Sequence, residues 1–260
     1  MEPDSSQHPM AQDLVHLTII GRIDGGLRRL IDVLLDGRLH DLSGLGGDAP
    51  TGMLAWDGRR YVRVKDVKSR AGARQLAEAT ARAETRARPM SLISWRGGNP
   101  FNEPLGHEVW VDPRQDPEGT VTAHLDVNAR VADHVTDFVI GLASAVELTT
   151  GGAWSPGAGA VPRWADRTWW IKPAPLIPGP LWLVLTAAAT HRRLMTSKRA
   201  RELAVSVHDL GRAGALWQLS HDRFGPAGRE LVEWFTVLHE VGVLDEDTYV
   251  KYAKQRHHEA

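Results

Sequence analysis

The fold is decided by two short runs of alternating side chains, HEVWV at residues 107–111 and TVTAHLDV at residues 120–127. Successive side chains of a strand point to opposite faces, so each run collects its apolar residues on one face. These apolar residues are Val109, Val111, Val121, Ala123, Leu125 and Val127. Because the intervening residues 112–119 are rich in proline, glycine and acidic side chains, we predict a β-hairpin with one apolar face.

An amphipathic helix is predicted directly after this hairpin. Asn128 is a good N-cap, because its side-chain oxygen can accept a hydrogen bond from a free backbone N–H of the first helical turn. Apolar residues then recur at helical spacing: Val131, Val135, Phe138, Val139, Leu142 and Val146. The hairpin and the helix would together supply much of a hydrophobic core.

The residues before the hairpin complete a predicted α+β sheet domain over residues 1–150. The predicted order is a strand at 14–20, a helix at 24–36, strands at 53–56 and 59–65, a helix at 69–88 and a strand at 91–95. Asp57-Gly58 favours a tight hairpin turn between the two middle strands, because this dipeptide tolerates the positive φ angles of a type I′ turn. The order β-α-β-β-α-β is that of the ferredoxin-like, split βαβ fold. The hairpin and helix of residues 107–147 would extend that sheet as a ββα unit.

Residues 181–260 are predicted to form a helical C-terminal bundle. The expected helices run from Pro180 to Arg193, from Ser197 to Leu210, around Leu216 and Leu219, from Pro226 to Val241, and from Asp245 onward. Glycines and prolines at their ends favour short helices with sharp stops.

A helix-turn-helix is the alternative interpretation of this part of the chain. Gly211 would separate its two helices, and a cationic group precedes it: Arg192, Arg193, Lys198, Arg199 and Arg201. The second helix would carry the bulky Trp217 and the acidic Asp222, which suits a DNA-reading helix poorly. A plain bundle is therefore preferred.

Residues 151–180 form a crossover rich in tryptophan and proline, which we call the Trp/Pro-rich segment. Half of the ten tryptophans lie between residues 154 and 182, together with six prolines. Proline interrupts regular structure, and tryptophan is enriched where proteins bind each other. The candidates for partner binding are Trp154, Trp164, Trp169 and Trp170. The competing interpretation is that these side chains fill the gap between two domains.

A basic block at residues 59–88 carries ten Lys and Arg residues against three Asp and Glu residues, although the whole chain has a net charge of −1. Such a cluster marks either an anionic partner or a solvated face. The nucleic-acid candidates within it are Arg60, Tyr61, Arg63, Lys65, Arg70 and Arg74. RNA-recognition modules share the strand order and stack bases on strand aromatics, but here only Tyr61 is placed to stack a base.

One further group of polar residues lies on the opposite, outer face of the predicted hairpin: Glu108, Trp110, Asp112, Thr122, His124 and Asp126. Carboxylates beside an imidazole can bind a metal or exchange protons with a substrate. The weak metal candidates are therefore Glu108, Asp112, His124 and Asp126. The competing interpretation is the wet side of a half-exposed sheet, so we assign no catalytic residue.

Composition excludes several classes of site. The chain has no cysteine, which rules out disulfides, thiolate nucleophiles and cysteine-bound metals. The glycine clusters at 21–26 and 44–52 lack the spacing of nucleotide-binding loops, so no cofactor is expected. No signal peptide is recognised at residues 1–13, and the longest apolar run, 181–189, is too short to cross a bilayer. We therefore expect a cytoplasmic protein without membrane contact.

These observations favour a non-catalytic binding or regulatory protein that uses the Trp/Pro-rich segment as a protein-interaction surface. The first alternative is a nucleic-acid-binding protein that uses the basic block or a helix-turn-helix-like C-terminal part. The second alternative is an enzyme with a carboxylate and histidine site on the outer face of the hairpin.

Overall fold

A computed structural model of the chain describes residues 14–23, 52–56, 59–64, 69–85, 90–95, 107–112, 120–128, 136, 140, 146–154, 176–177, 179–244 and 246–259. The strands are β1 (Leu14–Ile23), β2 (Gly52–Trp56), β3 (Tyr61–Val64), β4 (Met90–Trp95), β5 (His107–Asp112), β6 (Thr120–Asn128), β7 (Val146–Trp154), β8 (Leu183–Thr186), β9 (Ser206–Asp209) and β10 (Ala215–Gln218). The helices are α1 (Arg70–Thr85), α2 (Ala188–Thr196), α3 (Lys198–Leu203), α4 (Gly228–Glu240) and α5 (Glu246–Glu259).

The ten described strands form one sheet in the order β3-β2-β4-β5-β6-β1-β7-β8-β10-β9. Every neighbouring pair is antiparallel. The chain therefore belongs to the α+β class, as predicted. Among the described helices, none combines the length and the apolar character that a membrane crossing requires.

The hairpin at residues 107–127 is confirmed as β5 and β6, with Val109 opposite Leu125 and Val111 opposite Ala123. β1 lies on the other side of β6, and it is buried on both of its faces. Its two sets of alternating buried residues are Leu17 with Ile19 and Thr18 with Ile20. Because residues on both faces are buried, the sheet is covered on both sides where β1 crosses it.

The specific ferredoxin-like arrangement is not confirmed. The predicted strands at 14–20, 53–56, 59–65 and 91–95 and the helix that begins after Ser69 are present. Ser69 caps α1, because its Oγ accepts a hydrogen bond from the backbone N–H of Gly72 at 3.0 Å. However, β1 pairs with β6 and β7. It is therefore not a direct neighbour of β2, β3 or β4 in the sheet, whereas a split βαβ fold requires such a neighbour.

Two predicted helices fall largely outside the described residues. The helix at 24–36 lies there entirely, and of the helix predicted after Asn128 only Thr136 and Ile140 are described, both as helical. Asn128 itself is the last residue of β6. Val146, assigned to the apolar face of that helix, instead begins β7 and is buried.

The C-terminal part is mixed, so the prediction of a helical bundle is not confirmed. The helices predicted around 226–241 and from 245 onward are present as α4 and α5. Three strands stand where helices were predicted: β8, β9 and β10. β8 reads LVLT and is buried at all four positions, which is typical of a central strand covered on both faces.

The helix-turn-helix interpretation is wrong. Gly211 lies in a 3₁₀ turn at Gly211–Ala213 that joins β9 to β10. Leu203, Val207 and Leu210 have helical spacing, but Val207 belongs to a strand, because β9 gains a full set of backbone partners from β10.

The C-terminal helices pack with one face of the sheet around three fully buried aromatic residues, Trp217, Trp234 and Phe235. Both indole N–H groups have acceptors: that of Trp217 donates to His191 Nδ1 and that of Trp234 donates to the carbonyl oxygen of Leu219, each at 3.1 Å. Satisfied donors allow these large side chains to be buried without an electrostatic penalty. At the other end of the sheet, α1 packs against β2 and β3.

The β9–β10 turn supplies a test of this topology. Gly214 has φ +120°, and a Cβ there would overlap the carbonyl oxygen of Thr186. We expect Gly214→Ala to lower the free energy of unfolding by at least about 2 kcal/mol, because backbone strain and a clash with main chain act together. Chemical denaturation measures the change.

Gly211→Ala is the matched control, because Gly211 has φ +64° but a Cβ there would meet nothing within 4 Å. Its cost should be limited to backbone strain of about 1–2 kcal/mol. Equal losses in the two variants would show that β8 does not lie against this turn.

Candidate functional site

The Trp/Pro-rich segment is anchored at both ends. Trp154 is the last residue of β7 and is paired with His16 of β1. The chain returns at Leu176, whose carbonyl oxygen accepts a hydrogen bond from Thr150 Oγ1 at 2.9 Å. The backbone N–H of Ile177 then donates to the carbonyl oxygen of Val243 at 2.7 Å. The segment is thus tied to the sheet and to the turn between α4 and α5, while Trp164, Trp169 and Trp170 lie outside the described residues.

The returning chain covers one identifiable face of the sheet. A Cβ on Gly152 would overlap Leu181 Cδ1, so the Leu181 side chain lies directly over Gly152. Gly152 is paired with Thr18, and Thr18 is paired with His124. Directly paired residues share a face of the sheet. Leu181, the first residue after the Trp/Pro-rich segment, therefore lies over the face to which register assigns position 124.

Trp182, at the end of this return, is a core residue. It is 6% exposed, and its indole N–H has no hydrogen-bond partner within the described part of the chain. Gly225 lies close by, since a Cβ there would come within 3.3 Å of the Trp182 backbone nitrogen. This tryptophan therefore contributes packing and does not extend the candidate partner surface.

The four metal candidates lie on the paired strands β5 and β6: Glu108, Asp112, His124 and Asp126. Asp112 is opposite Thr122, two positions from His124, so register brings these two candidates to diagonal positions across the hairpin. The described structure does not extend to the side chains of the four. Among the side chains that it does include, no group of three His, Asp or Glu residues is placed to hold a metal ion.

On the face to which register assigns the metal candidates, the neighbouring strand β1 is buried. Thr18 and Ile20 pair with His124 and Thr122, respectively, and are 1% and 2% exposed. The returning segment explains part of this burial, since Ile20 is also paired with Thr150, the residue that binds the carbonyl oxygen of Leu176.

The nucleic-acid candidates are spread over β3, the edge strand of the sheet, and α1. Arg60 precedes β3, Arg63 lies on it, and both are exposed, as are Arg70 and Arg74 on α1. Tyr61 is paired with Trp56, and Lys65 lies outside the described residues. The basic charge is partly offset within α1, where Glu78 lies 3.0 Å from Arg74 and 3.8 Å from Arg82. Exposed pairs of this kind contribute at most about 1 kcal/mol to stability.

A buried histidine that the sequence did not single out joins α2 to the β9–β10 hairpin. His191 Nδ1 accepts the hydrogen bond from Trp217, and its Nε2 lies 3.9 Å from Asp209 Oδ2. Asp209 is held in turn, because its Oδ1 accepts from the backbone N–H of Gly211 at 2.8 Å. Since Nδ1 is an acceptor, we assign the imidazole proton to Nε2. No local pattern could have found this contact, because it depends on the pairing of β10.

Comparisons with known proteins show the fold and not the activity. No protein-family model matches the sequence, and no curated protein is similar to it. A solved structure, the Pseudomonas aeruginosa T6SS protein PA0821, is similar over 88% of this chain and 73% of its own, with 10% sequence identity and a TM-score of 0.51. At this identity, the similarity extends to the α+β architecture alone.

The Trp217–His191 contact predicts a specific pattern of stability. His191→Ala leaves the buried indole N–H of Trp217 without an acceptor, which should cost about 1–3 kcal/mol in addition to lost packing. His191→Asn places an amide oxygen near the position of Nδ1 and should lose less, although asparagine favours helix less than alanine does. Chemical denaturation of the two variants measures the loss of stability in each. A larger loss for asparagine than for alanine would mean that the hydrogen bond contributes nothing.

Proposed function

We propose that the chain is a non-catalytic binding protein whose partner is another protein, and that the Trp/Pro-rich segment contributes the interface. The cytoplasm is the proposed location. The division into a sheet domain at 1–150, a crossover at 151–180 and a C-terminal domain at 181–260 remains a prediction, although β7 and β8 join the first and last of these parts in one sheet.

The observation that carries this proposal is the anchoring of the segment at both ends. Thr150 binds Leu176 and Val243 binds Ile177, so the chain is fixed where it resumes after residues 155–175, as it is at the end of β7 before them. A connection fixed in this way loses less conformational freedom on binding than a free tail does. Loops on a rigid sheet are also where binding residues are most often found.

The composition between the anchors supports a protein partner. Trp164, Trp169 and Trp170 lie between the two anchors in the sequence, and tryptophan is among the residues that contribute most to protein–protein binding.

Nucleic-acid binding is the second candidate function. The observation in its favour is the exposure of Arg60 and Arg63 at the β3 edge and of Arg70 at the start of α1. Against it, Glu78 lies within 4 Å of two arginines of the same helix, which lowers the charge available to phosphates.

The role of the tryptophans in partner binding can be tested by measuring how much partner protein is recovered with the chain. With the full chain as bait in a lysate of cells that carry it, we expect Trp169→Ala combined with Trp170→Ala to abolish recovery of the partner, because each aromatic anchor contributes about 2 kcal/mol or more. Thermal melting must stay unchanged. Phe224→Ala is the matched control, since Phe224 is an aromatic residue with 49% exposure in a different loop. Undiminished recovery with the double variant would contradict the proposal.

Nucleic-acid binding, the second candidate function, can be tested by adding labelled single- and double-stranded oligonucleotides to the full chain. We expect no association that survives about 150 mM salt, because phosphate contacts weaken steeply as salt rises. Micromolar binding at that salt concentration, removed by reversing the charges of Arg60, Arg63 and Lys65, would establish nucleic acid as the partner.

A further inference from the structure

A second surface is formed where α2 and α3 meet, and we call residues 188–203 the α2–α3 corner. Ser197 is the one residue between the two helices, and it caps both of them. Its backbone N–H donates to the carbonyl oxygen of Leu194 at 3.0 Å, and its Oγ accepts from the backbone N–H of Ala200 at 3.1 Å. One residue therefore ends the first helix and begins the second, which restricts the angle between them.

Longer side chains hold the corner in place. The Arg201 guanidinium donates to the carbonyl oxygen of Met195, and Thr196 Oγ1 donates to the carbonyl oxygen of Arg193 at 2.7 Å. Arg193 Nη2 donates to the carbonyl oxygen of Val241 at 2.9 Å, which ties the corner to the end of α4. The backbone of this surface is thus ordered before any partner arrives.

The outer side of the corner is cationic. Leu194 and Ala200 face inward and belong to the core of the C-terminal part. The corner carries five Lys and Arg residues and one Glu, a net charge of 5 − 1 = +4. Its exposed cations and its exposed methionine are Arg192, Arg193, Met195, Lys198, Arg199 and Arg201. Met195, with 39% exposure, is one of three large hydrophobic residues that the described part of the chain leaves exposed.

Only part of this charge is available to a ligand. Arg193 and Arg201 bind backbone carbonyls, and Lys198 lies 3.5 Å from Glu202. Within the described residues, the guanidinium groups of Arg192 and Arg199 take part in no hydrogen bond or ion pair. The corner therefore offers two uncommitted guanidinium groups, with an exposed methionine between them in the sequence.

This combination suits a protein better than a nucleic acid. Arginine and methionine are enriched in protein–protein interfaces, and arginine binds carboxylates through paired hydrogen bonds. Specific DNA binding commonly involves about 6–10 phosphate contacts, which two uncommitted cations cannot supply. We propose that the α2–α3 corner binds an acidic patch of a partner protein, with carboxylates on Arg192 and Arg199 and an apolar side chain on Met195. This surface shares no residue with the Trp/Pro-rich segment, and the proposal does not depend on that segment.

The probe for this proposal is a synthetic peptide rich in glutamate and aspartate with leucines at its centre, added to the labelled full chain. We expect amide chemical-shift changes at residues 189–202. Arg192→Glu combined with Arg199→Glu should weaken binding at least about tenfold, and Met195→Ala should weaken it by a smaller factor. Lys251→Glu combined with Lys254→Glu is the matched control, since both lysines are exposed on α5. That variant and Trp169→Ala with Trp170→Ala should bind as the natural chain does.

Several results would overturn the proposal. They are shift changes elsewhere only, equal weakening by the α5 control, or tighter binding of an oligonucleotide at the corner in the same buffer. Self-association of the chain in sedimentation that disappears with the double arginine variant would assign the corner to a second copy instead. Should the glutamate variant melt early, Arg192→Ala combined with Arg199→Ala replaces it, and unchanged peptide binding by that folded variant would contradict the assignment.

Discussion

The whole sheet depends on the close approach of backbones at two glycines of β7. A Cβ on Gly151 would overlap the carbonyl oxygen of Thr18 and come within 2.9 Å of Leu185 Cδ1. A Cβ on Gly152 would come within 2.8 Å of the carbonyl oxygen of Leu183. Since neither glycine has a side chain, β1 and β8 can both pair with β7. This strand thereby connects the six described strands on one side of it to the three C-terminal strands on the other.

Both candidate surfaces are positioned by the pairing of β7 with β1 and β8. Thr150, beside the two glycines, binds the returning end of the Trp/Pro-rich segment, and Leu181 lies over Gly152. β8 then leads into α2, the first helix of the α2–α3 corner. The two proposed interaction surfaces are therefore attached to the paired strands β7 and β8. They differ in chemistry, because one is aromatic and the other is cationic.

Sequence reasoning succeeded where the deciding pattern was local. The alternation in HEVWV and TVTAHLDV identified β5 and β6. Asp57-Gly58 falls in the connection between β2 and β3, but the predicted tight turn is wrong, because Trp56 pairs with Tyr61 and four residues separate the two. Sequence reasoning failed where pairing between distant parts of the chain determines the secondary structure. Leu203, Val207 and Leu210 fit a helix by spacing, yet β9 forms because β10 lies beside it. The contact between His191 and Trp217 spans 26 positions and has no local pattern. For the sites, sequence analysis noted the cations of the α2–α3 corner only as support for the alternative helix-turn-helix interpretation.

Hydrogen–deuterium exchange of the natural chain and of Gly152→Val tests the central role of β7 most directly. Valine favours strands in general, so a purely local effect would leave the sheet intact. The account predicts that the substitution increases amide exchange in β1 and in β8 together, because the added side chain meets Leu181 and the backbone of Leu183. Protection in β1 and β8 equal to that of the natural chain would contradict the claim that the two parts of the sheet are joined through β7.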